Sequence, residues 1–220
     1  MRPFKKPIFI VSTILTLIIS FSFLVYAQDY PAGFYSHISL NHFVEIAEQK
    51  RKMEVDSLSL SLGFISPQLL ELYFSLGDED LIYRDENGEK KDFNAALSFQ
   101  LGTRVFIFKD IQIGVPVDFS FSFEFTQAIN EEDNTKVDYK HKRMLGTGDI
   151  KWHYSRSEPY MSLGILQARL DQPKGEDDVK EESLFFIAGL KFLITPQIFI
   201  LSEINYGEDI GYKMGLRYHL

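Results

Sequence analysis

The 220-residue chain contains no cysteine. That excludes disulfides, cysteine-ligated zinc, thiol catalysis and a lipid-modified N-terminal cysteine. An exported chain without disulfides needs another source of stability, and a closed hydrogen-bonded barrel supplies one. Positive charge is also scarce, because 23 Lys and Arg stand against 31 Asp and Glu for a net charge of -8. Phosphate binding needs a basic face, so no nucleic-acid partner is expected. A mean hydropathy of -0.10 is too low for a bundle of membrane helices. After residue 27 no stretch sustains a helical period.

Aromatic side chains are plentiful instead, with 20 Phe and 11 Tyr, and β-structure favours them. The first 27 residues form a unit of their own. Arg2, Lys5 and Lys6 precede an apolar run from Ile8 to Leu24, and Val25-Tyr26-Ala27 places suitable residues at a cleavage site. This is the three-part pattern of a secretory signal peptide. Two domains are therefore expected, a signal peptide over 1–27 and a β-barrel over 28–220. Cleavage would leave a net charge of -11, since the leader carries three bases and no acid.

The remainder alternates with period two, which gives strands with one apolar face. The clearest run is Ile111 to Phe125, with Phe119, Phe121, Phe123 and Phe125 on one face and Asp118, Ser120, Ser122 and Glu124 on the other. Nine further segments fit: Gly33 to Glu45, Met53 to Ile65, Gln68 to Leu76, Phe93 to Val105, Arg143 to Tyr154, Tyr160 to Leu170, Ser183 to Ile194, Ile198 to Tyr206 and Ile210 to Leu220. Tyr160 to Leu170 is ambiguous, because both faces are partly apolar. Ten antiparallel strands in meander order follow, or eight if the weak first and seventh segments do not cross.

Connections alternate in length. Tight turns are expected at Ser66-Pro67, Lys109-Asp110, Ser155 to Pro159 and Thr195-Pro196-Gln197. Long acidic loops are expected at Gly77 to Asp92, Thr126 to Lys142 and Asp171 to Glu182. Short periplasmic turns and long outer loops mark outer-membrane barrels. A soluble barrel would place its apolar face inward. The Gly- and Ser-rich polar faces, with charges of both signs, read as the lumen. Trp152, Tyr154, Tyr206 and Tyr218 at the ends of apolar faces read as interfacial girdles. The expected fold is an all-β, transmembrane, up-and-down barrel in the cell outer membrane of a Gram-negative bacterium.

The chain ends Lys213-Met214-Gly215-Leu216-Arg217-Tyr218-His219-Leu220. Lys213, Gly215, Tyr218 and Leu220 resemble the C-terminal signal of bacterial outer-membrane proteins, with Leu where Phe is usual. That resemblance implies recognition by the barrel assembly machinery. The mature chain as a whole resembles the small outer-membrane barrel superfamily of OmpA/OmpX type, which speaks to fold and location rather than activity.

The polar faces would bring Glu71, Asp118, Glu124, Asp149 and Glu203 into one lumen with Arg104, Lys151, Lys191, Lys213 and Arg217. A barrel of about eight strands is filled by its own side chains. The expected state is a paired charge network that plugs the lumen, with an ion-selective, porin-like channel as the alternative. His153-Tyr154-Ser155 resembles the His-x-Ser element of outer-membrane lipid A deacylases. It has no third orienting group and falls in a periplasmic turn, so no enzyme is expected. The expected role is structural or one of surface interaction, with an outer-membrane lipid-modifying enzyme as the other alternative beside the channel. The acidic loops lack calcium-loop spacing, and Asn87-Gly88 reads as a hairpin tip. No cofactor, metal or catalytic residue is expected. Outer-membrane lipid is the expected surroundings, and the sequence names no surface ligand or substrate.

Overall fold

Strand-forming alternation turns into strands almost throughout. The computed structural model describes residues 33–47, 51–66, 70–85, 87–93, 95–131, 138–171, 178–207 and 210–220. The leader expected over residues 1–27 lies outside them. Eleven strands occur in chain order: β1 Gly33–Ala47, β2 Arg51–Ile65, β3 Leu70–Arg84, β4 Lys90–Asp92, β5 Ala96–Ile113, β6 Val115–Glu131, β7 Asp138–Trp152, β8 Ser157–Asp171, β9 Val179–Thr195, β10 Ile198–Tyr206 and β11 Ile210–His219. Each pairs antiparallel with its neighbour in sequence, apart from β4 and β5, which both pair with β3. β1 pairs with β11, as Tyr35 opposite His219 shows, and the sheet closes on itself. β4 and β5 act as one interrupted strand, so the barrel has ten.

Closure satisfies backbone groups that hydrocarbon would leave bare. The outer surface is accordingly apolar over a continuous band. Phe34, Leu62, Phe74, Leu101, Phe121, Phe123, Leu163, Leu184 and Met214 all point outward and are exposed. Asp118 and Ser120 are buried inside. Ser122 and Glu124 also line the lumen. An exposed aromatic band around a polar interior belongs in a bilayer, not in water.

The strands are longer than a crossing requires. About 9–11 tilted residues span a bilayer, yet most strands here have 15 to 18. Near the long-loop end the two faces exchange character. On β2, Leu58, Leu60 and Leu62 face out over Ser57, Ser59 and Ser61, whereas Lys52, Glu54 and Asp56 face out over buried Met53 and Val55. On β3 the outward row changes from Leu72, Phe74 and Leu76 to Asp78 and Asp80, while Leu81 and Tyr83 turn inward and are buried. On β8 it changes from Met161, Leu163 and Ile165 to Gln167, Arg169 and Asp171, with Leu166, Ala168 and Leu170 inside. This exchange is why Tyr160 to Leu170 looked apolar on both faces.

Inside the charged collar lies an apolar cluster. Met53, Val55, Leu81, Tyr83, Phe93, Tyr139, Ala168, Leu170 and Val179 are buried together, with Phe43 packed against them. Phe93 meets Tyr139 edge-on at 4.8 Å between ring centroids.

Three expectations are corrected. Ile111 to Phe125 is not one strand, because the hairpin turns at Gly114 (φ 77°) rather than at Lys109-Asp110. Ile111 and Ile113 belong to β5, and two register shifts near Phe106, Phe108 and Ile111 carry the alternation through the bend. The long loops are shorter than expected, because the strands continue past the point where their outer faces turn polar. The loop expected at Gly77 to Asp92 is strand as far as Arg84, with Gly88 (φ 83°) in the turn that follows. Phe93, expected on the apolar outer face, lies inside the cluster because the β4–β5 interruption resets its phase.

Orientation of β6 gives a direct test. A charge facing lipid at mid-membrane costs about 2–4 kcal/mol in such barrels. Phe121→Arg is expected to impair assembly into the heat-modifiable folded form far more than Ser122→Arg, as read by gel shift in membranes. Equal tolerance would reverse the two faces.

Candidate functional site

Below the apolar cluster the lumen is polar, and the short-turn half contains a cavity of about 340 Å³. All ten residues singled out from the sequence as lumen charges line it. Glu71 on β3 is the centre of their contacts and is itself buried. Arg104 Nη1 on β5 stands 3.0 Å from one of its oxygens, and Arg217 Nη1 on β11 stands 3.2 Å from the other. Arg104 Nε also lies 3.4 Å from Asp149 on β7. Arg217 stacks on the Tyr35 ring, 4.1 Å from its centroid. Buried charge is tolerable only when paired in this way.

A second group sits nearer the short turns. Lys151 Nζ is 3.4 Å from Asp118 and 3.7 Å from Glu158. Lys191 on β9 shares Glu158 at 3.2 Å and lies over the Phe199 ring. His153 follows β7 and stands between Asp118, 2.8 Å away, and Glu158, 3.4 Å away. Asp118 first, and Glu158 second, hold its imidazole up at about 9. The ring therefore faces two carboxylates, whereas Ser155 is exposed in the turn.

Glu124 and Glu203 are held differently. Tyr73 donates its hydroxyl to Glu124 at 2.7 Å, and Tyr160 donates to Glu203. Tyr35 makes the same bond to Glu71 at 2.7 Å. Each phenol ring reaches its acid by crossing a glycine on the intervening strand. Tyr35 lies opposite Gly63, Tyr73 opposite Gly102 and Tyr160 opposite Gly189. A Cβ at any of these glycines would overlap the ring. Three consecutive strands thus contribute Tyr, Gly and Glu in turn, at three places round the wall. Hydroxyl pairs extend the network, with Ser39 to Ser59 at 2.9 Å and Ser61 to Ser75 at 2.7 Å. Closer to the apolar cluster, His141 Nδ1 meets Glu79 at 2.7 Å with both side chains fully buried.

Sequence reasoning missed Glu158 and the three tyrosines. Glu158 falls within the turn expected at Ser155 to Pro159, whereas β8 already begins at Ser157 and gives it the inward parity of Tyr160 and Ser162. The tyrosines were visible as large residues standing in Gly- and Ser-rich polar rows. Lys213 lines the cavity and makes no ion pair among the described residues. With Gly215, Tyr218 and Leu220 it marks the closing strand, where Leu220 N–H donates to the Phe34 carbonyl at 2.9 Å.

The glycine seats give a matched pair of variants. Gly102→Ala would drive a methyl group into the Tyr73 ring, whereas Gly146→Ala meets nothing within 4 Å. Overpacking of this kind typically costs about 1–3 kcal/mol. Gly102→Ala is expected to lower the temperature at which the folded gel band converts to the unfolded one, and Gly146→Ala to leave it nearly unchanged. An equal effect of both would contradict the Tyr-over-glycine arrangement.

The chain matches no protein-family model and no curated protein sequence. Among solved structures it is similar to the translocator domain of the autotransporter NalP from Neisseria meningitidis, at 11% identity and a TM-score of 0.55, over 95% of this chain and 98% of that one. Looser likenesses include an outer-membrane channel from Pseudomonas putida, at 10% identity and a TM-score of 0.49, over 88% and 98%. The attachment invasion locus protein of Yersinia pestis matches at 19% and 0.42, over 86% and 99%. Identities this low speak for the fold alone, and the two looser structures add nothing to it. With the apolar outer band and the charged lumen, the fold is that of a small outer-membrane β-barrel protein, and its place is the cell outer membrane.

Proposed function

We infer that the protein is a non-conducting, non-enzymatic barrel that holds charged hairpins above the outer membrane for contact with a surface partner. One observation carries this reading: the apolar cluster from Met53 to Val179 lies inside the barrel at the long-loop end. Water and ions cross a narrow lumen only through a continuous polar path, and fully buried Met53, Leu81 and Leu170 interrupt one. The paired charges below them add to the closure. The outward collar of Lys52, Glu54, Asp56, Asp78, Asp80, Lys140, Lys142 and Arg169 supports a role at the surface, since strands this long carry their hairpins clear of the lipid.

A channel is the second reading, favoured by the cavity of about 340 Å³ in the other half of the lumen. Conduction would require the cluster to part. On insertion into planar bilayers the protein is expected to give no stable single-channel steps. Lipid A isolated from expressing cells is expected to keep its mass. Regular conductance steps would overturn the closed reading, and a mass change would overturn the non-enzymatic one.

The closing strand fits recognition during assembly. Lys213, Gly215, Tyr218 and Leu220 stand where the chain must pair with β1 to complete the barrel. The partner in that step is the outer-membrane assembly machinery.

A further inference from the structure

We propose that Asp110, Asp118 and His153 form a divalent transition-metal site at the short-turn mouth of the lumen, with a mixed imidazole and carboxylate ligand set that takes zinc. One ligand atom from each residue lies within 4.8 Å of the other two. The three arrive from separate elements: the bulged end of β5, the start of β6 and the turn after β7. No spacing motif in the sequence could therefore signal them.

The buried atoms point to the ligand. Asp118 is only 1% exposed. Its Oδ1 accepts the Asp110 backbone N–H at 2.9 Å. Its Oδ2 faces His153 Nε2 at 2.8 Å as an ion pair that lacks good hydrogen-bond geometry, and both atoms are shut from solvent. Buried polar atoms in that state call for an explanation. A cation held between them supplies one: two ligands each about 2.0–2.2 Å from one tetrahedral zinc ion stand about 3.3–3.6 Å apart, so the pair opens by about half an ångström to take it. The remaining ring nitrogen, Nδ1, lies 3.4 Å from Glu158. A carboxylate there is the outer partner that metal-bound imidazoles commonly have, and it fixes which nitrogen faces the ion.

Imidazole with carboxylate favours zinc and its neighbours over calcium or magnesium, which prefer all-oxygen sets. Asp110 is exposed, so an ion can enter from the aqueous side. Lys151 Nζ, now 3.4 Å from Asp118, must yield that contact, and Glu158 at 3.7 Å remains available to it. Three protein ligands leave positions for water.

The test is zinc titration of the full mature barrel refolded in detergent and stripped with a chelator. Calorimetry gives stoichiometry, and cobalt absorption reports the ligand set. One zinc per barrel is expected at micromolar affinity or tighter. Asp118→Asn and His153→Gln are each expected to weaken it at least tenfold, and Glu158→Gln about tenfold. Asp85→Asn, in a distant hairpin, is expected to change nothing. Every variant is checked for its heat-modifiable folded band. Should Asp118→Asn fail to fold, His153→Gln at the mouth carries the test. Absence of zinc binding would overturn the proposal and leave His153 as the ion-pair partner of Asp118. So would zinc bound equally well by His153→Gln, which would assign it to loop carboxylates.

Discussion

Hydrocarbon cannot solvate a charge or an unpaired backbone group, and this constraint organises the molecule. It forces the sheet to close through β1 and β11, and it forbids charged side chains on the outer face between the two interfaces. The charged rows on β2, β3 and β8 begin where that prohibition ends. At the same height the inner face turns apolar, because water now bathes the outside and the barrel needs an ordinary dry core. The protein is thus two structures end to end. One is apolar outside and polar inside; the other, standing above the membrane, has the reverse arrangement.

The polar half meets its own constraint, since charges in a narrow lumen must be paired. Two arginines converge on Glu71, which offers both of its oxygens. Glu124 and Glu203 instead receive phenol hydroxyls. Those tyrosines reach across a strand only because glycine leaves a seat for the ring. Side-chain choice on one strand is therefore tied to the absence of a side chain on the next. This coupling adds to the backbone ladder in fixing register, since a one-residue slip would put a side chain under the ring.

Much of the fold was legible because alternation with period two is a local signal. The phenylalanine row of β6 and the leucine rows of β2 and β3 read directly as an outer face. The ten strands and the inward side of the ten lumen charges follow from parity, although Glu124 and Glu203 meet tyrosine hydroxyls rather than bases and Lys213 makes no ion pair among the described residues. Strand ends are not legible, because in the sequence an apolar outer row marks a strand and a charged outward residue such as Asp78 marks a loop. The tight turn at Gly114 was hidden because alternation runs unbroken through it. Which charges meet was also hidden. Glu71 stands directly opposite Arg104 in the β3–β5 register, a pairing hidden by the β4 interruption, whereas its contact with Arg217 joins residues 146 apart in sequence. The gathering of His153, Asp118 and Glu158 depends on how the chain turns after β7.

The absence of cysteine makes the exchange of faces directly measurable, because single cysteines can be introduced for spin labels along β8. Outward labels at Leu163→Cys and Ile165→Cys should collide with oxygen dissolved in lipid, and those at Gln167→Cys and Arg169→Cys with a water-soluble nickel reagent. An inward label at Ala168→Cys should be shielded from both. A lipid signature that continues through Gln167 and Arg169, or free aqueous access at Ala168, would contradict a barrel whose faces change places at the membrane surface.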